Sequence, residues 1–201
     1  MSRDARLLFG PLGAVILAAG VAGLAATVPG YDSVRQTVSE IGEVGSPAQA
    51  AFSLMLASVA VCIVVFALGL RRASIRAGCS ALGPYVTALM SICVAGIAMF
   101  PFPHPLHNVF GLAELIPYQA PWVFALTWRR SPGPRAAVSF SRAMAAVVWL
   151  AILLNLSTLD RHGVIWTSIR PVYGLIQRGL FAAWFAWCAG LGFILWRRPA
   201  G

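Results

Sequence analysis

The chain has 201 residues, of which 59% are hydrophobic and 10% charged, with a mean hydropathy of +0.80; that composition excludes a soluble domain, because too little polar surface exists to cover the apolar remainder. A formal charge of +9 and a pI near 10.7 would suit a nucleic-acid partner in a soluble protein. Here all fifteen basic residues are Arg and most stand in clusters at the ends of apolar runs, where they meet lipid headgroups, so membrane lipids and not nucleic acid are the expected surroundings.

A spanning helix needs about 20 apolar residues and a short connector. The length therefore predicts an all-α integral membrane bundle of six transmembrane helices, one unit over residues 1–201 with no room for a separate soluble domain. The first span is predicted over residues 7–28, behind Arg3 and Arg6. A cleaved signal peptide has an apolar core of only about 7 to 15 residues, so an uncleaved helix is expected. Within it Gly20, Gly23 and Ala26 recur at spacings that suit one close-packing stripe.

The loop that follows, residues 31–43, alternates polar and apolar positions. A short interfacial helix is predicted there, with Val34, Val38 and Ile41 on one face against the bundle. The second span is predicted over 49–70, stopping at Arg71, Arg72 and Arg76, and the third over 79–100, with Pro84 tolerable in its first turns. The fourth, 106–128, holds Glu114, Pro117 and Pro121, so a kink and freed backbone carbonyls are expected near its middle. A Gly/Pro/Arg linker over 131–142 leads to the fifth span, 143–159, and the sixth covers 171–196.

Positive residues are retained on the cytoplasmic side of a membrane. One side would hold Arg3, Arg6, Arg71, Arg72, Arg76, Arg129, Arg130, Arg135, Arg142, Arg197 and Arg198, and the other Arg35, Arg161, Arg170 and Arg178. Both termini are then expected in the cytoplasm, in a multi-pass protein of the cell's inner (plasma) membrane. Asp32, Glu40, Glu43, Asp160, His104, His107 and His162 fall in the outer loops and Glu114 in the outer half of its span, leaving only Asp4 on the cytoplasmic side. Polar chemistry is expected at the outer face.

His107 and Glu114 are seven residues apart, so on a helix they face the same way about 10 Å apart, with Tyr118 a turn further on. A carboxylate within a span is costly and turns inward to a partner or a water-filled cavity. Arg178, with Gln177 beside it, is the expected partner of Glu114. The pair is either a helix clamp or one wall of a polar pocket opening outward, with His107, Asn108 and Ser39 at its mouth. Glu40 and Tyr118 complete the set of candidate pocket residues.

No metal site is expected, since His104 and His107 lack an assured third ligand, and no cofactor is expected either. Haem ligands would sit deeper in the spans. The four cysteines form no CxxC or CxxH spacing and suit small buried hydrophobes. Ser39, His107 and a carboxylate could form a nucleophile, base and orienter, but no G-x-S-x-G elbow accompanies them. Candidate catalytic residues are therefore limited to His107, Glu114 and Ser39.

The segment 31–42, followed by Gly45-Ser46-Pro47 and a span, resembles the opening signature of the domain-of-unknown-function 998 family of small prokaryotic membrane proteins. Phe100-Pro101 leading to His107, and Gly174-Leu175-Ile176-Gln177-Arg178 opening the last span, agree with that pattern. The resemblance covers nearly the whole chain and implies a six-span bundle whose recurrent polar positions, matched by Ser39, Glu40, His107, Gln177 and Arg178, gather at one end. It implies no reaction, substrate or cofactor. The function expected from the residues is binding of a lipid or small amphiphile, or support of a membrane-protein complex, through the outer pocket. An enzyme acting on lipid headgroups, with His107 as acid or base and Glu114 tuning it, is the alternative. Small-solute transport is the third reading, weakened by the lack of an internal repeat.

Overall fold

An apolar segment surrounded by hydrocarbon can satisfy its own amides only as a helix, and each apolar run of this chain is helical. A computed structural model of the protein describes residues 3–130 and 135–197. A 3-10 turn, Ala5–Leu8, leads into α1 (Phe9–Ala25), followed by α2 (Gln49–Arg76) and α3 (Leu82–Met99). The fourth span is broken into α4 (Pro105–Ala113) and α5 (Ala120–Trp128), joined through a 3-10 turn at Pro117–Gln119. Beyond it come α6 (Arg135–Leu156), the short α7 (Val164–Ile169) and α8 (Tyr173–Trp196). Six helical segments are long and apolar enough to cross a membrane, and there is no strand among the described residues.

The spans pack in chain order: α1 on α2, α2 on α3, α3 on α4 and α5, α5 on α6, and α6 on α8. Contact between α1 and α8 closes the ring. Gly10 permits that closure, because a Cβ there would strike the Cys188 carbonyl of α8. The expected small-residue stripe is corrected in detail. Gly20 lies against Met55, but Gly23 meets nothing and Ala26 is exposed, since the helix ends at Ala25 and its last turn leaves α2.

The ring is filled by aromatic side chains. Phe66, Phe124, Trp128, Trp184 and Trp187 are buried, with Phe124 stacked on Trp128 at 4.7 Å and edge-on to Trp187 at 6.4 Å. Each indole finds an acceptor: Trp128 donates to Ser74 Oγ at 3.2 Å and Trp187 to Ser141 Oγ at 2.9 Å. Outside the ring, Val15, Leu54, Val61, Ile92 and Leu150 are exposed apolar side chains for lipid to cover.

The break in the fourth span follows from its prolines. Pro117 and Pro121 cannot donate to the carbonyls of Ala113 and Pro117. Ile116 donates to Ala113 O instead at 3.1 Å. The Pro117 carbonyl takes the Ala120 N–H and, across the bundle, Trp184 Nε1 at 3.1 Å.

The helix of the fifth span, α6, covers Arg135–Leu156 and so includes residues ahead of the 143 at which hydropathy places its start. Its first turns carry Arg135, Ser139, Ser141 and Arg142, which lower hydropathy without opposing helix formation, and Ser141 is needed inside as the acceptor for Trp187. Residues 131–134 of the expected linker, and Arg198, lie outside the described residues.

The two ends of the bundle differ. At the end near the termini, the Arg3 guanidinium lies 4.7 Å over the Trp196 ring. Nearby, Asp4 pairs with Arg6 at 2.9 Å and Arg76 at 3.9 Å. Burial pushes the Asp4 carboxyl up, but hydrogen bonds from the Arg6 side chain and backbone, with the charges of Arg6 and Arg72, outweigh it and hold the group below its ordinary value. The opposite, loop end carries the polar residues singled out by the sequence.

Candidate functional site

The first loop does not form the interfacial helix expected over 31–43. Asp32 winds residues 32–36 into a turn instead, its carbonyl accepting from Arg35 N at 3.2 Å and Gln36 N at 2.8 Å, and its carboxylate from Val34 N at 2.9 Å. Only Val38–Gly42 is helical, as a 3-10 turn. Val38 and Ile41 are buried as expected, whereas Val34 is exposed because it belongs to the Asp32 turn.

Glu40 caps this turn. Its carboxylate accepts from Thr37 N at 2.9 Å, Thr37 Oγ1 at 2.8 Å and Gln36 Nε2 at 2.8 Å. Three donors within the loop thus occupy the charge of Glu40.

The start of α8 holds the loop from the other side. Val38 N donates to Gln177 Oε1 at 2.7 Å. Arg178 donates to Gln36 O at 3.0 Å, to Gly174 O at 2.9 Å and to the Tyr31 hydroxyl at 2.5 Å. Burial pushes the Tyr31 phenol up, against the lowering effect of the Arg178 hydrogen bond and charge. It therefore keeps its proton and donates to Thr37 O at 2.7 Å. Gly174 lies directly under the loop, where a Cβ would collide with the carbonyls of Gln36, Ser33 and Val34.

The expected Glu114 to Arg178 pair does not form. Glu114 is 7% exposed and accepts from Tyr118 Oη at 3.0 Å, the neighbour predicted one turn away. It faces Phe52, Met90 and Val94 of α2 and α3, whereas Arg178 lines the groove toward Ala14, Ala18 and Ala22 of α1. Similar depth in the bundle does not bring them together, because the two side chains leave their helices toward different neighbours.

Ser39 and His107 do meet. His107 is 5% exposed; its Nδ1 lies 2.9 Å from Phe100 O and its Nε2 2.9 Å from Ser39 Oγ. A carbonyl oxygen can only accept, so Nδ1 carries the proton. In the neutral ring Nε2 is then the acceptor, and Ser39 donates its hydroxyl to it. His104 plays a different part: it is exposed and its Nδ1 accepts from Leu106 N at 3.2 Å, capping α4. No tuning contact reaches His107 from Glu114, since Nδ1 is taken by Phe100.

Three spaces open around these groups. The largest, about 950 Å³ and open at the loop end, is lined by the predicted residues Ser39, Glu40, His107, Asn108 and Gln177. The chain also brings to it Arg35, Arg161 and Arg170, with Trp166 and Tyr173 in edge-to-face contact at 5.1 Å. A smaller apolar cavity of about 50 Å³ lies within the bundle, with Ser39, Glu114 and Tyr118 in its wall. An apolar groove of about 350 Å³ runs between α1 and α8 below Arg178. The groove and the inner cavity share Leu17, Val38, Phe181 and Phe185.

From the sequence, Arg161 and Arg170 serve only to orient the chain. The signal that could have found them is their exception to the charge bias: a side otherwise poor in Arg carries four. Among the described residues no group of three His, Cys, Asp or Glu stands close enough to hold a metal ion.

The profile of a family described as "Protein of unknown function (DUF998)" matches residues 11–194. No curated protein and no solved structure matches the chain.

Proposed function

The chain belongs to the DUF998 family and is a multi-pass membrane protein, and we propose that its loop-end cavity holds the anionic headgroup of a membrane lipid. The observation that carries this reading is the convergence of Arg35, Arg161 and Arg170 on one open cavity whose single carboxylate, Glu40, is already occupied by three loop donors. Arg35 has a neighbour in Asp32 at 3.5 Å, but among the described residues Arg161 and Arg170 have no carboxylate within ion-pair distance. Guanidinium groups so placed suit a phosphate, which accepts several charge-assisted hydrogen bonds at once. Trp166 and Tyr173 supply the aromatic wall common at headgroup level. Apolar space for acyl chains is at hand in the groove between α1 and α8.

In this reading the loop end faces away from the cytoplasm, supported by the distribution of eleven Arg against four. The binding test uses protein purified in a neutral detergent, with its melting temperature followed as lipid is added. Phosphatidylglycerol raises the melting temperature by mass action, phosphatidylcholine does not, and Arg161→Ala and Arg170→Ala each raise the lipid concentration needed for a given shift about fivefold, in line with roughly 1 kcal/mol per basic residue at a membrane surface. If inorganic phosphate alone gives the full shift, the ligand is a free anion. If phosphatidylcholine matches phosphatidylglycerol, the headgroup reading is wrong.

A further inference from the structure

Ser39 stands at a boundary. Its side chain lines both the arginine-bearing cavity and the apolar inner cavity, which is the position of the ester linkage in a lipid, between charged headgroup and hydrocarbon. At that boundary its hydroxyl is hydrogen-bonded at 2.9 Å to an imidazole nitrogen whose tautomer is fixed from behind by the Phe100 carbonyl. That is the arrangement of a nucleophile, a base and an orienter. Holding a loop on α4 would need a hydrogen bond only, with no wet cavity at the hydroxyl.

We infer that Ser39 and His107 form a nucleophile and base pair that cleaves a carboxylic ester of the anionic lipid held in the cavity. This rests on the headgroup reading above for its substrate, though not for the pair itself. Ser39 Oγ attacks the ester carbonyl carbon as its proton passes to His107 Nε2, giving a tetrahedral oxyanion. The bond to the alcohol oxygen breaks, and His107 returns the proton to the departing alkoxide, leaving an acyl group on Ser39. Water from the open cavity, deprotonated by His107, then attacks the acyl carbonyl, so that the products are a fatty acid and a lyso-lipid and Ser39 regains its hydrogen.

Gln177 supplies a donor for the oxyanion. Its Oε1 is fixed by Val38 N–H at 2.7 Å, one residue from the nucleophile, which leaves the amide NH2 as the free end of a side chain that lines the cavity. Asn108, next to His107, lines the same space.

The test is labelling of the purified, folded protein with a fluorophosphonate, read by peptide mass spectrometry, alongside fatty-acid release from detergent micelles containing phosphatidylglycerol. The expected result is an adduct on Ser39 and measurable release, both reduced at least about a hundredfold in His107→Gln, the scale of lost general-base catalysis. Ser39→Ala abolishes both. Should Ser39→Ala fail to fold, the wild-type adduct and the His107→Gln loss still decide the matter. A lipid-dependent melting shift with neither adduct nor release overturns the catalytic pair and leaves headgroup binding standing. An adduct on Ser39 that needs His107, without any phosphatidylglycerol-dependent shift, supports the pair and removes the assigned substrate.

Discussion

Arg178 of the last helix donates to the Tyr31 hydroxyl at 2.5 Å, joining the last helix to the first loop above the groove between α1 and α8. The same guanidinium holds the Gln36 and Gly174 carbonyls. Hydrogen bonds made by a charged group contribute about 1.5 to 3 kcal/mol each on removal. Arg178→Leu, which removes three of them, should therefore lower stability by about 5 kcal/mol, and Tyr31→Phe, which removes one, by about 2 kcal/mol. The double variant should lose little more than Arg178→Leu alone, because the two act as one unit. Thermal unfolding in detergent measures all three, and strict additivity would contradict the shared network.

Gly174→Ala tests the close approach of the loop to α8. A methyl group there meets three loop carbonyls, none of which is a flexible side-chain end. Overpacking of this kind costs about 1 to 3 kcal/mol. The variant should also raise amide exchange at Val38, whose N–H bonds to Gln177 only while the loop is seated. Gly179→Ala, with open space at its Cβ, should be neutral or better.

Asp4 gives a pH dependence with a definite sign. Its carboxyl is held below the ordinary value in the folded protein, so it contributes stability that is present above the unfolded value and lost as pH falls through the depressed folded one. Asp4→Asn should melt at a lower temperature than the parent at pH 7, and the difference should begin to close as pH falls below about 4 and vanish below the depressed folded value, where both carry a neutral group. A constant gap across that range would mean that the Arg6 and Arg76 contacts do not sense the charge.

Orientation is open to direct measurement. In a background with Cys62, Cys79, Cys93 and Cys188 replaced by Ala, single cysteines at Arg35→Cys and Arg161→Cys should react with a membrane-impermeant maleimide added outside intact cells. Arg76→Cys should react only after the membrane is opened. The reverse pattern would put the cavity on the cytoplasmic side and invert the assignment made from charge.

Hydropathy and charge placement made the six spans legible, because a helix in hydrocarbon must be continuous and apolar and its ends must meet water. The proline break was legible for the same reason, since a missing N–H is a property of the residue itself. The meeting of Ser39, Glu40, His107 and Gln177 near one cavity followed from locating them all at one end. The partner of Arg178 was hidden because backbone carbonyls, which every residue carries, took the place of a carboxylate. Glu114 was likewise assigned a cation when Tyr118, four residues on, sufficed. Helix rotation, which decides between such partners, leaves no mark on hydropathy in a span that is apolar nearly all round.

The adjacency of α1 and α8 fixes an order of events during synthesis. Residues 31–38 are made long before the groups that fasten them, Gly174, Gln177 and Arg178 of α8. Until then the loop has no seat and Ser39 has no fixed place beside the cavity; a chain that stops short of α8 keeps five spans but lacks the groups that fasten Gln36 and Val38.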